Sequence, residues 1–276
     1  MIHRSLVGRV VFCLLFLVVL PGCLRRLAVQ LPVEGSAQPA VTSTDAPTAP
    51  STSKHQGVER CGGTPLPPPA PKPDYGVQVH VAPGWDPDEI MASAQGLGVG
   101  WVKQQVQWHT IEHGPGDFEW EPLDQIVDAA EGFGLRLLLG VTHAPDWTRT
   151  AELASGPPAD YAEFRRFMEQ LAERYRGRVD AYELWNEPNL AREWHGDRLD
   201  PARFVALVAE GAEGARAGDP DALIISGAPA VTGINDGEIA IADRRFLRGM
   251  IEAGVAQHVD AIGAHPYGYG NPPEES

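Results

Sequence analysis

An α/β fold, built as a (β/α)8 barrel, is what this sequence predicts for residues 74–276. Three observations predict it. Short apolar runs alternate with helical patterns from Tyr75 onward. No hairpin signal separates them, so the strands pair in parallel through right-handed crossovers. No Gly-x-Gly-x-x-Gly follows the first strand, which removes the dinucleotide-binding alternative and leaves the barrel.

The elements follow in order. "YGVQVHV" is a strand, and "DPDEIMASAQGLG" is a helix that opens on the Asp86-Pro87 cap pair and closes on glycines. "GWVKQQVQW" is a strand, and "LDQIVDAAEGFG" a helix with Ile126, Val127 and Ala130 on one face. "LRLLLGVT" is a strand, and "DYAEFRRFMEQLAERY" a helix with Phe164, Phe167, Met168 and Leu171 at helical spacing. "DAYELW", "ALIISGA" and "VDAIGAHPY" are strands, separated by the helices "PARFVALVAEGAEGAR" and "RRFLRGMIEAG". A full barrel needs eight strands, and this count reaches six before the final "GNPPEES". The expectation is therefore a barrel truncated after about six strands.

The residues before the barrel read differently. "MIHRSLVGR" is short and basic, and Val10 to Leu20 is apolar but too short for the roughly 20 residues of a membrane span. "LPGC" resembles a bacterial lipobox. Residues 1–22 are thus expected to be a lipoprotein signal peptide, with Cys23 lipidated and the protein held at the outer face of a membrane in the bacterial envelope. The alternative is plain secretion with an incidental cysteine. Residues 23–73 are rich in Pro, Ser, Thr and Ala and hold too few apolar side chains to offset ordering entropy, so they read as a disordered tether.

Composition narrows the function. The net charge of −15 argues against nucleic acid as a partner. The three cysteines, Cys13, Cys23 and Cys61, form no Cys-x-x-Cys pair, and the histidines are scattered along the chain, so no metal and no cofactor is expected. No Gly-x-Ser-x-Gly supports an esterase or protease.

Sites in such barrels lie at the carboxyl ends of the strands. Those ends carry His80, Trp108 and His109, His143 and Trp147, Asn186 and Glu187, Ser226, then His265 and Tyr267. Aromatic faces beside polar and titratable groups fit a carbohydrate cleft. On the fourth strand, alternation places Glu183 on the side of Glu187, and Lys103, Gln105 and Gln107 share a face of the second. A Lys103–Glu183 ion pair below the site is expected.

Four motifs carry a family resemblance. "WNEPN" after a strand looks like the acid/base motif of the clan A retaining glycoside hydrolases. "GDFEWEPLDQIVDAA", "HAPDW" and "IGAHPYG" are similar to segments of the family 39 xylosidase and iduronidase-like group. The resemblance implies hydrolysis of O-glycosidic bonds, with Glu187 as acid/base and Asn186 on the sugar 2-hydroxyl. It also implies that His265 and Tyr267 line the cleavage subsite. Trp147, Trp194, His143 and Trp108 are further candidate substrate contacts, although Trp147 and Trp194 also suit loop anchors and His265 a core histidine. A retaining mechanism needs a protonated carboxyl, raised by burial or a like charge, and a second carboxylate about 5 Å away. In clan A that nucleophile is a glutamate ending the seventh strand, which this chain is expected to lack. The rival is a non-catalytic carbohydrate-binding or envelope scaffold barrel.

Overall fold

The computed structural model describes residues 75–150, 155–195 and 198–267. The expectations for Cys23, the leader and the tether lie outside these residues. Eight strands and five α-helices form in this region. The first four strands are β1 (Gly76–Val79), β2 (Trp101–Gln107), β3 (Glu112–Gly114) and β4 (Asp117–Phe118). They are followed by β5 (Arg136–Thr142), β6 (Ala181–Leu184), β7 (Leu223–Ser226) and β8 (Ala261–Ile262). The helices are α1 (Pro87–Gly96), α2 (Glu121–Gly132), α3 (Tyr161–Arg174), α4 (Pro201–Gly218) and α5 (Asp243–Glu252).

All six expected strands form one sheet, in the order β1-β2-β5-β6-β7-β8, and every pairing is parallel. Sequential order with a helix between successive strands is an arc of a (β/α) barrel. Helix starts follow their sequence signals. The carboxylates of Asp86, Asp160 and Asp200 accept from the backbone N–H groups of Asp88, Ala162 and Ala202, and so satisfy donors that the first turn leaves unpaired.

One expectation is corrected. A hairpin does occur, since β3 and β4 pair antiparallel across Pro115-Gly116. Gly116 adopts φ +79°, which a glycine reaches without strain, and its N–H donates to Glu112 Oε1 at 2.8 Å. The Pro-Gly signal for this turn was present in "HGPGDF".

The core lies between the sheet and its helices. Phe164, Phe167, Met168 and Leu171 of α3 are all fully buried, as their spacing predicted. An aromatic chain runs through this layer: Trp108 stacks on Phe167 at 4.9 Å, Phe164 meets Trp185 edge-on at 6.0 Å, and Trp194 bridges Trp185 and Phe204. Offset and edge contacts of this kind add to the area that each ring buries.

Candidate active site

Glu187 stands three residues past the end of β6, on the rim formed by the carboxyl ends of the strands. The backbone around it is strained. Trp185 has φ +79° and Glu187 φ +42°, a region that non-glycine residues rarely occupy. The neighbouring strand β5 and the loop after β7 hold this conformation in place. The N–H of Glu187 donates to Ala228 O at 3.1 Å, and the N–H of Trp185 donates to Val141 O at 2.9 Å. Asn189 is fully buried and ties the next strand's loop to the turn. Its Nδ2 donates to Ala230 O and Ile241 O, both at 2.9 Å, and its Oδ1 accepts from the Ala230 N–H at 2.8 Å. The second asparagine of "WNEPN" therefore has a structural task that the sequence reading did not assign.

The Glu187 carboxylate is 7% exposed at residue level and has a donor on each oxygen. His265 Nδ1 lies 3.1 Å from Oε1, and Arg192 Nη2 lies 2.7 Å from Oε2. Burial pushes the acid upward, but the bonds and charges of His265 and Arg192 outweigh it, so Glu187 ionises below the ordinary glutamate value. The sequence reading required a raised acid. The difference comes first from His265 and then from Arg192, which lies five residues ahead in the chain on the 3-10 turn Ala191–Glu193.

Glu193 is the second carboxyl at this rim. It is shifted the other way, first by burial and also by the charge of Glu187, against a hydrogen bond from the Asn186 side chain. Arg192 Nε sits 3.5 Å from Glu193 Oε1, so one guanidinium touches both carboxylates. Neither Arg192 nor Glu193 was singled out from the sequence. Their position in the loop after the acid motif was the only available signal.

The structure brings some of the expected site residues together and separates others. Asn186, Glu187 and His265 form one cluster. Tyr267 lies beside it, its ring 5.1 Å from that of His265. Trp147 is half-buried and lines a separate cleft of about 450 Å³ with His109, Glu112, His113, Ala144, Pro145 and Asp146. His143 has φ +55°, and its ring lies 6.0 Å from that of His109. Burial first, then the charges of His109 and Arg149, keep the His143 imidazole below its ordinary value and favour its neutral form.

Two expectations are corrected. Trp108 is fully buried and donates Nε1–H to Glu112 Oε2 at 2.7 Å, so it offers no face to a sugar. Trp194 is equally buried between Trp185 and Phe204 and acts as a loop anchor. Both sit where the aromatic layer needed large rings more than the cleft did. The expected Lys103–Glu183 ion pair is present below the site.

The sequence profile described as "Cellulase (glycosyl hydrolase family 5)" matches residues 79–258, more than half of the 276-residue chain. The chain belongs to glycosyl hydrolase family 5. This places it in clan A, as the acid/base motif indicated, while the fold comparison brings in the group that its other motifs resemble. A family 39 glycoside hydrolase from the gut symbiont Bacteroides cellulosilyticus is 21% identical and superposes with a TM-score of 0.55, over 70% of this chain and 38% of that one. The family 39 enzyme from Xanthomonas axonopodis pv. citri is 19% identical, with a TM-score of 0.52, over 70% of this chain and 40% of that one. At these identities the likeness establishes the α/β barrel fold. This family 5 chain thus spans about two fifths of the length of these fold relatives. No curated protein matches the chain.

Proposed function

We propose that this family 5 protein hydrolyses O-glycosidic bonds of oligo- or polysaccharides with retention, using Glu187 as acid/base. The observation that carries the proposal is the placement of Glu187. It is a buried carboxyl on a strained rim turn, next to Asn186 and bonded by His265. In the first step Glu187 gives its proton to the leaving oxygen while a carboxylate attacks the anomeric carbon and forms a glycosyl–enzyme bond. In the second, Glu187 takes a proton from water, which displaces the enzyme carboxylate. Asn186 would hold the 2-hydroxyl, and Tyr267 would orient the attacking group. We infer that the attacking glutamate lies outside the described residues, on a strand that follows β8 in the complete barrel. Trp147 would stack on a sugar unit in the cleft that it lines, apart from the Glu187 cluster.

The test is Glu187→Gln in a form of the protein that turns over substrate. Glycosides with poor leaving groups should lose about 100- to 10,000-fold in rate, the usual worth of general acid–base catalysis. Activated aryl glycosides, which need little protonation, should lose much less in the first step. Equal and small losses on both would overturn the assignment. They would favour the second reading, a carbohydrate-binding barrel, for which the Glu187 carboxyl, bonded on both oxygens, is the supporting observation.

A further inference from the structure

We infer that Arg192 is a movable counter-ion of Glu187, and that a saccharide on the leaving-group side displaces it toward Glu193, freeing the oxygen through which Glu187 donates its proton. The inference rests on the reading of Glu187 as acid/base. It makes Arg192 and Glu193 positioning residues for that reaction.

The argument starts from the two oxygens of Glu187. Oε1 accepts from His265 Nδ1 at 3.1 Å, and Oε2 accepts from Arg192 Nη2 at 2.7 Å. A carboxylate with a donor on each oxygen is an acceptor only. To act as a general acid, one oxygen must lose its donor and carry a proton facing the glycosidic oxygen. The two donors differ in freedom. His265 has a side chain only 10% exposed, and its backbone bridges to Ala230 beside β7. Arg192 has a side chain 68% exposed and reaches Glu187 from a surface turn. Solvent reaches the guanidinium and screens its side of the pair, and ordering so long a side chain opposes the contact. Arg192 is therefore the donor that leaves.

The structure also supplies the place it goes. Arg192 Nε already lies 3.5 Å from Glu193 Oε1. Glu193 is itself fixed, because the Asn186 side chain bonds its carboxyl and Trp185 Nε1 donates to its backbone oxygen at 3.1 Å. The charged and titratable groups facing Glu187 are thus His265 from the segment after β8, and Arg192 and Glu193 from its own turn. Lys103 and Glu183 pair with each other deeper in the sheet. When Arg192 moves fully to Glu193, Glu187 loses its nearest cation and its carboxyl becomes easier to protonate. Occupancy by a neutral sugar, whose hydroxyls can take over the guanidinium's hydrogen bonds, thereby switches Glu187 from acceptor to donor. This ties the acid's proton to the presence of a substrate.

The test titrates the Glu187 side-chain carboxyl by ¹³C NMR in the full chain, alone and with saturating cellotetraose or xylotetraose. Without sugar, Arg192→Gln should shift the Glu187 midpoint to higher pH, and Arg192→Lys should return it toward wild type. Bound sugar should raise the wild-type midpoint and leave that of Arg192→Gln unchanged. Glu193→Gln removes the resting place of Arg192 and should hold the Glu187 midpoint low even with sugar bound. A midpoint unmoved by Arg192→Gln in the free protein overturns the inference, as does one that sugar raises equally in wild type and Arg192→Gln. The rates of Glu187→Gln decide the acid/base reading separately, so each can fail while the other stands.

Discussion

Lys103 and Glu183 pair across β2, β5 and β6 over Gly140, whose absent side chain leaves the space between them. A Cβ there would sit 3.3 Å from Lys103 Cε and 3.4 Å from Glu183 Oε2. This contact was legible because strand alternation fixes the face on which a side chain stands. Removing one partner leaves an uncompensated charge in a low-dielectric interior. Lys103→Met should therefore cost about 3 kcal/mol of unfolding free energy in urea, and Lys103→Met with Glu183→Leu should recover most of it. If the single and double variants lose equally, the pair is not what makes Lys103 matter. The contact between Arg192 and Glu187 was illegible for the opposite reason. In a turn with φ values of +79° and +42° nearby, spacing along the chain does not fix where a five-bond side chain reaches.

Helix α4 shows what an element's pattern leaves out. Its apolar spacing predicted a helix, but not the purpose of its glycines. Gly211, Gly214 and Gly218 lie three and four residues apart and so share a face, against which α3 packs closely. A Cβ on Gly214 would come within 2.1 Å of Arg165 O, and one on Gly211 within 2.5 Å of Phe164 Cε1. Gly214→Ala should therefore force the helices apart and destabilise the protein by about 1–3 kcal/mol, despite the gain in helix propensity. Gly132, with nothing within 4 Å of its Cβ position, is the control, and Gly132→Ala should be neutral or slightly stabilising. Thermal and urea unfolding of the two variants separates close packing from backbone entropy. The hairpin of β3 and β4 was missed at this same scale, because strands of three and two residues carry no period to read.

At the scale of the molecule, six parallel strands in sequential order bring the loops after β6, β7 and β8 to one rim. Glu187, Ala228 and His265 meet there although they are far apart in sequence. Among the described residues the outer strands β1 and β8 are each paired on one side only. Strand edges of this kind are open to further pairing. The proposal of export and lipid anchoring rests on the leader sequence alone. Cys23→Ser should move the protein from the membrane fraction to the soluble one and abolish labelling by a radioactive fatty acid. Unchanged labelling would show that Cys23 is not the anchor.

The sequence by itself determined the order of the six sheet strands and five helices, the parallel α/β architecture, the strand end that carries Glu187 and the ion pair beneath it. All of these follow from local periodicity, capping and alternation, which act over a few residues and are written directly in the chain. Only the tertiary structure decided which aromatic residues are core and which are cleft, so that Trp108 and Trp194 went inward while Trp147 kept an open face. It also decided the electrostatic state of the acid. Burial alone would raise Glu187, but His265 arrives from 78 residues away and Arg192 from the 3-10 turn that follows, and together they lower it. A carboxyl's proton affinity is a sum over every charge and donor around it, and that sum exists only once the chain has folded.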